Sequence, residues 1–183
     1  MNRLASPSQL RASMIRWALF VVPTVMLLGF LAGRIGGDAS SPWFQSLAKP
    51  ATFPPPVTFG IVWTVLYFMI GLAFALVCAA WGSRMRKWAI LAFLIHFAFN
   101  LAWSPTFFGA HDMRAALGIV IAMDVTGIVA TWLFFRVRKW SGWLMLPYLA
   151  WIAFATLLTW QFIEANPDGG REAESGAVQR FEL

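Results

Sequence analysis

Residues 57–81 read VTFGIVWTVLYFMIGLAFALVCAAW, a run without one charged side chain. About 20 apolar residues carry a helix across the hydrocarbon of a bilayer. No water reaches backbone groups at that depth, so such a run must close its own hydrogen bonds as a helix, and it lacks the alternation of a barrel strand. Four other runs share this character: Trp17 to Gly33, Trp88 to Ala110, Ala115 to Phe135 and Trp140 to Ile163. Asp124 is the one formal charge within the five. The sequence therefore predicts an all-α integral membrane protein, a single bundle of five transmembrane helices.

Composition agrees. Of 183 residues 60% are hydrophobic and 12% charged, and the mean hydropathy is +0.67, outside the balance of a soluble domain. Eleven Trp and seventeen Phe exceed what two interfacial belts need, so some rings are expected to line an interior space. The single Cys78 excludes a disulfide framework and a zinc site, and no other metal site is expected.

Charge predicts orientation. Arg3, Arg11 and Arg16 precede the first span, Arg84, Arg86 and Lys87 join the second to the third, and Arg136, Arg138 and Lys139 join the fourth to the fifth. Five alternating helices put these nine on one side against Arg34, Lys49 and Arg114 on the other. The N-terminus is then expected in the cytoplasm and the C-terminus outside, which suits a bacterial cytoplasmic (inner) membrane, with the outer membrane left open. The net charge of +6 needs no nucleic acid, since the basic residues cap helix ends and form no stripe.

The chain divides into a cytoplasmic segment 1–16, a transmembrane domain 17–163 and a mobile tail 164–183. Within the domain, residues 36–56 stand apart. They combine Gly-Gly, Ser-Ser-Pro and Pro50, Pro54, Pro55 and Pro56 with Trp43, Phe44 and Leu47, which need somewhere to dock. The prolines stop the second span from starting early and let this loop fold back as a lid. Small residues at i+4 spacing, Gly29 and Gly33, Ala98 and Ala102, and Gly118 to Ala130, allow close helix approach, for most of them in packing inside the bundle, with a homodimer contact as the alternative.

Counting about eleven residues inward from the outer ends of the antiparallel spans brings Tyr67, Asn100, Asp124 and Trp151 or Ile152 to roughly one level. Asp124, an ionisable residue in hydrocarbon, is either a protonated structural carboxyl or a functional group. His96 shares a face with Asn100 and reads as a haem ligand or a hydrogen-bonded packing residue, with packing favoured. Outward of this level lie three aromatic stripes: Phe59, Trp63 and Tyr67; Trp103 and Phe107; and Tyr148 and Trp151 with Ala155. Converging with Asn100 under the lid, they predict a pocket for a flat, apolar small molecule.

Three stretches carry a resemblance. Trp43-Phe44-x-x-Leu47-x-Lys49-Pro50 with Pro54-Pro55 and Gly60-x-Val62-Trp63-Thr64-x-Leu66-Tyr67 is the first. Asn100 to Gly109 (NLAWSPTFFG) and Pro147 to Thr156 (PYLAWIAFAT) are the others. Together they resemble the translocator protein family, also called tryptophan-rich sensory protein or peripheral-type benzodiazepine receptor (TspO/MBR), in order over residues 43–163. The resemblance implies a five-helix protein, often homodimeric, that binds porphyrins such as protoporphyrin IX, with sterols and benzodiazepine-site ligands in some members. Porphyrin is then a ligand, with no cofactor required. The matching pocket positions are Trp43, Pro50, Trp63, Tyr67, Asn100, Trp103, Trp151 and Ala155. Lys49 and Asn100 are the expected partners of porphyrin propionates.

The family pattern also carries a Trp shortly after Lys-Pro, where Thr52 and Phe53 stand here. Trp160 occupies the position of a sterol-motif Tyr, which argues against cholesterol. Three functions follow: binding with sensing or transport, light-dependent porphyrin degradation using Trp63 and Trp151, or a proton-coupled carrier using Asp124 with His96.

Overall fold

The computed structural model describes residues 6–35, 37 and 39–169. Five long helices, α1 (Pro7–Ile35), α3 (Pro56–Cys78), α4 (Arg86–Ser104), α5 (Met113–Val137) and α6 (Lys139–Ala165), are joined by a five-residue helix, α2 (Pro42–Ser46), and a π-helical turn at Pro105–Gly109. Five stretches are long and apolar enough to cross a membrane, α4 doing so together with the π turn. The helix α1 begins at Pro7, so most of the 1–16 segment extends the first span as helix. Of the tail, residues 164–169 are described and 170–183 lie outside the described residues.

The long helices close into a ring in the order α1, α3, α6, α5, α4 and back to α1. Short links make α5 and α6 antiparallel neighbours, whereas α3 and α6 meet only in the tertiary structure. The α1–α3 contact depends on a missing side chain: a Cβ on Gly71 would stand 3.1 Å from the Cα of Val22. Glycine thus brings two backbones together where lipid supplies no hydrophobic drive toward association. The core between α3, α4 and α5 is an aromatic stack, with Phe93 4.1 Å from Phe74 and 5.8 Å from Phe134 between centroids. Each such pair adds about 0.5–1.5 kcal/mol beyond its burial.

Outside, the pattern of a soluble protein is inverted. Leu19, Val65, Phe68, Leu94, Val125 and Ile128 all point outward and are at least half exposed, as hydrocarbon solvent requires. At the end where α1 begins, Arg86, Lys87 and Arg136 lie over the rings of Trp81, Trp88 and Trp132 at 4.0, 5.1 and 5.1 Å. Cations paired with tryptophan mark an interfacial belt.

At the other end the lid is folded. Ser41 caps α2 by accepting from the Phe44 N–H at 3.2 Å, and Trp43, Phe44 and Leu47 are buried. Asn166 clamps the loop to the end of α6: its Oδ1 accepts from the Ala48 N–H at 2.8 Å and its Nδ2 donates to the Ala48 carbonyl at 3.0 Å. Thr52 bonds Gln161, and the Trp43 indole donates to the Gly169 carbonyl at 3.3 Å. The start of the tail is therefore an anchor for the lid.

Candidate ligand cavity beneath the lid

The π turn shapes the cavity wall. Pro105 has no N–H to give α4, and the chain widens so that the Ala110 N–H reaches the Pro105 carbonyl at 2.9 Å. Residues advance by a smaller angle through such a turn, and consecutive Phe107 and Phe108 both face inward. Just beyond, His111 adopts φ 54°, reversing the chain into α5, where Asp112 caps the helix by accepting from the Ala115 N–H at 2.9 Å.

Between these elements lies a cavity of about 610 Å³ walled by all five long helices, the π turn and the lid, within the size range of small-molecule pockets. Of the expected ligand residues, Trp63, Tyr67, Asn100, Trp103, Phe107, Trp151 and Ala155 line it. The Trp63 ring stacks on Tyr67 at 5.1 Å, Trp103 on Phe107 at 5.1 Å, and Phe59 meets Trp151 edge-on at 5.8 Å. These contacts fix the ring walls.

Trp43, Lys49 and Pro50 do not line the cavity. Trp43 lies behind the wall, stacked on His111 at 4.3 Å and edge-on to Phe107 at 5.7 Å. Lys49 turns its ammonium onto the end of α2, donating to the carbonyls of Phe44, Gln45 and Leu47. Three donors meet three acceptors, leaving none for a propionate. A cation suits a helix C-terminus, and burial lowers the lysine's pKa below its ordinary value. Pro50 opens the turn in which the Phe53 N–H reaches its carbonyl at 2.9 Å.

The floor is a directed hydrogen-bond chain. The Met123 carbonyl can only accept, so His96 carries its proton on Nδ1 and donates there at 3.1 Å. Its Nε2 then accepts from the Tyr148 hydroxyl at 2.9 Å. That oxygen accepts from Asn100 Nδ2 at 3.0 Å, and Asn100 Oδ1 accepts from Tyr67 at 3.0 Å. Asn100's amide also lies 3.5 Å from the Met123 sulfur. Asn100 thus faces the cavity with its amide hydrogens directed to Tyr148 and Met123, which orders the floor. Both nitrogens of the fully buried His96 are engaged in hydrogen bonds to neighbouring helices.

Asp124 stands outside the cavity wall. Its Oδ2 accepts from Thr156 at 2.6 Å, and no hydrogen bond joins it to His96 among the described residues. The pairing expected of a proton relay is not assembled.

Sequence reasoning missed several lining residues. Phe53 lines the cavity beside Phe59, at 5.4 Å, next to the position where the family pattern carries a Trp. Gly29, Phe30, Gly33 and Arg34 of α1 also line it. A Cβ on Gly29 would meet the Tyr67 ring at 2.4 Å, whereas one on Gly33 would meet nothing within 4 Å. The small-residue spacing was visible; its use at Gly33 to leave space was not. Among the described residues, Arg34 is the only charged one lining the cavity. Two further donors have no partner among the described residues: the buried indole N–H groups of Trp103 and Trp151.

Fold and cavity together define a class: an integral membrane protein of five helices around an aromatic chamber closed by a clamped loop. Comparison with known proteins is specific. The chain belongs to the TspO/MBR family, whose profile matches residues 20–164. It is 35% identical to the tryptophan-rich sensory protein of Cereibacter sphaeroides over 152 residues, covering 82% of this chain and 92% of that one. The tryptophan-rich protein TspO of Chlorobaculum tepidum is 31% identical, covering 78% and 90%. The human translocator protein is 32% identical, covering 72% and 79%.

Proposed function

We propose that this chain binds a porphyrin or a similar flat tetrapyrrole in the cavity and serves in its sensing or transport. The observation that carries the reading is the cavity itself: ring walls from Trp63, Trp103, Phe107 and Trp151 with one cation, Arg34, among the described lining residues. Flat conjugated ligands gain from such walls, and a propionate would find its partner in Arg34. The unpartnered indoles of Trp103 and Trp151 add donors suited to a ligand acceptor. The names of the relatives, sensory and translocator, suit a protein that receives a ligand and passes on either a signal or the ligand. We place it as a homodimer in the bacterial inner membrane, N-terminus in the cytoplasm.

The test is titration of detergent-purified protein with protoporphyrin IX in the dark, followed by porphyrin absorbance, and then under illumination. Saturable binding is expected, weakened about tenfold or more in Trp63→Ala and Trp151→Ala by lost ring contact. Arg34→Gln should weaken the diacid about tenfold and leave the dimethyl ester unchanged, since charge-assisted hydrogen bonds contribute about 1.5–3 kcal/mol. Absence of saturable binding would end the reading. Catalytic, Trp-dependent loss of porphyrin in light would replace it with an enzyme.

A further inference from the structure

At the opposite end of α1 from the cavity, a second concavity lies on the outside of the bundle. Ser13, Arg16, Trp17 and Phe20, spaced at i, i+3, i+4 and i+7, form one stripe that faces Trp81 across a groove of about 410 Å³. The Trp17 and Trp81 rings are 6.4 Å apart. Phe20 and Trp81 remain 67% and 63% exposed, so the groove is open from the side. Its level is the step from Arg16 to Trp17, where α1 passes from polar to apolar sequence.

One cation, Arg16, lines this groove and a second stacks on the ring of its Trp81 wall. Arg86 lies with its guanidinium 4.0 Å over the Trp81 ring, while its Nε donates to the Cys78 carbonyl at 3.0 Å. Stacking and that hydrogen bond hold the fork in place, lowering the ordering cost of using its free N–H groups. Arg84 and Lys87 flank it in sequence, and no Asp or Glu occurs in residues 1–37 or 39–111. The α4 N-terminus, which begins at Arg86, carries no side-chain cap, so its dipole adds to the positive field.

We propose that this groove seats an anionic phospholipid, its acyl chain along Trp17 and Phe20 and its phosphate between Arg16 and Arg86. A soluble anion would satisfy the cations but gain nothing from the rings. A zwitterionic lipid would use the rings but bring its own cation to a site that has no carboxylate. Basic pockets between helices at an interface select anionic headgroups on these grounds. The site is independent of the cavity and its ligand.

Native mass spectrometry of the full-length protein in detergent tests this, using phosphatidylglycerol and phosphatidylcholine of identical chains. Phosphatidylglycerol is expected to bind at least about tenfold tighter. Arg16→Gln should cost phosphatidylglycerol about fivefold, the worth of one basic residue at a membrane surface, and Phe20→Ala should weaken both lipids. Both residues are exposed, so neither change threatens folding. Arg136→Gln, which removes a charge at the same end away from the groove, should change nothing. Equal affinity for the two lipids, equal loss in Arg136→Gln, or displacement of phosphatidylglycerol by millimolar inorganic phosphate would each overturn the assignment.

Discussion

Tyr148 shows how a buried hydroxyl orders a membrane interior. It accepts from Asn100 and donates to His96, so each partner's remaining atoms are forced into one arrangement: Asn100 turns its oxygen to Tyr67, and His96 keeps its proton for the Met123 carbonyl. Removing that oxygen orphans two buried groups at once. Interhelical hydrogen bonds in membranes average only about 0.6 kcal/mol, because the unfolded helices also find partners. Stranding buried donors and acceptors costs about 1–3 kcal/mol, and this larger figure should govern here. Tyr148→Phe is therefore expected to lower stability by about 2 kcal/mol in a denaturing-detergent titration. A loss near 0.6 kcal/mol would show that Asn100 and His96 find other partners. Gly29 is the steric counterpart. Its Cβ would collide with the Tyr67 ring, so Gly29→Ala should displace Tyr67 and lower stability by about 1–3 kcal/mol.

At the scale of elements, the lid is held by side chains far away in sequence. Asn166 spans to Ala48 through both halves of its amide, while Lys49 and Ser41 fold the loop on itself. Losing a pair of partly exposed hydrogen bonds at about 0.5–1.5 kcal/mol each amounts to roughly tenfold in a rate. Asn166→Ala should accordingly speed protoporphyrin dissociation about tenfold in stopped flow and raise amide exchange across residues 39–53, with the helices unaffected. Unchanged exchange in the loop would mean that its aromatic contacts, Phe44 with Phe53, Phe107 and Phe162, hold it alone. The role of Lys49 was legible in sequence only as a cation near a pocket. Its direction is set by three carbonyls at the end of a five-residue helix, an element too short for periodicity to reveal.

For the whole molecule, charge distribution argues orientation. In the sequence nine Lys and Arg precede the first span or join the second to the third and the fourth to the fifth, against three in the other connections, and the cation–tryptophan pairs lie on the richer side. A C-terminal alkaline phosphatase fusion in a bacterial host should be active, and a C-terminal green fluorescent protein fusion dark; the reverse would invert the topology. The five spans and the aromatic stripes of α3, α4 and α6 could be read from sequence because hydrocarbon admits one backbone solution and leaves a plain hydropathy record. Nothing local, however, distinguishes a side chain that lines a cavity from one that merely closes it. That Trp43 and Lys49 stand behind the wall, that Arg34 faces the chamber, and that Asp124 bonds Thr156 rather than His96 followed from helix rotation and from the widened turn at Pro105. Those are settled by packing between helices, where glycine contacts such as Gly71 on Val22 and satisfied buried polar groups outweigh the periodicity of any one span.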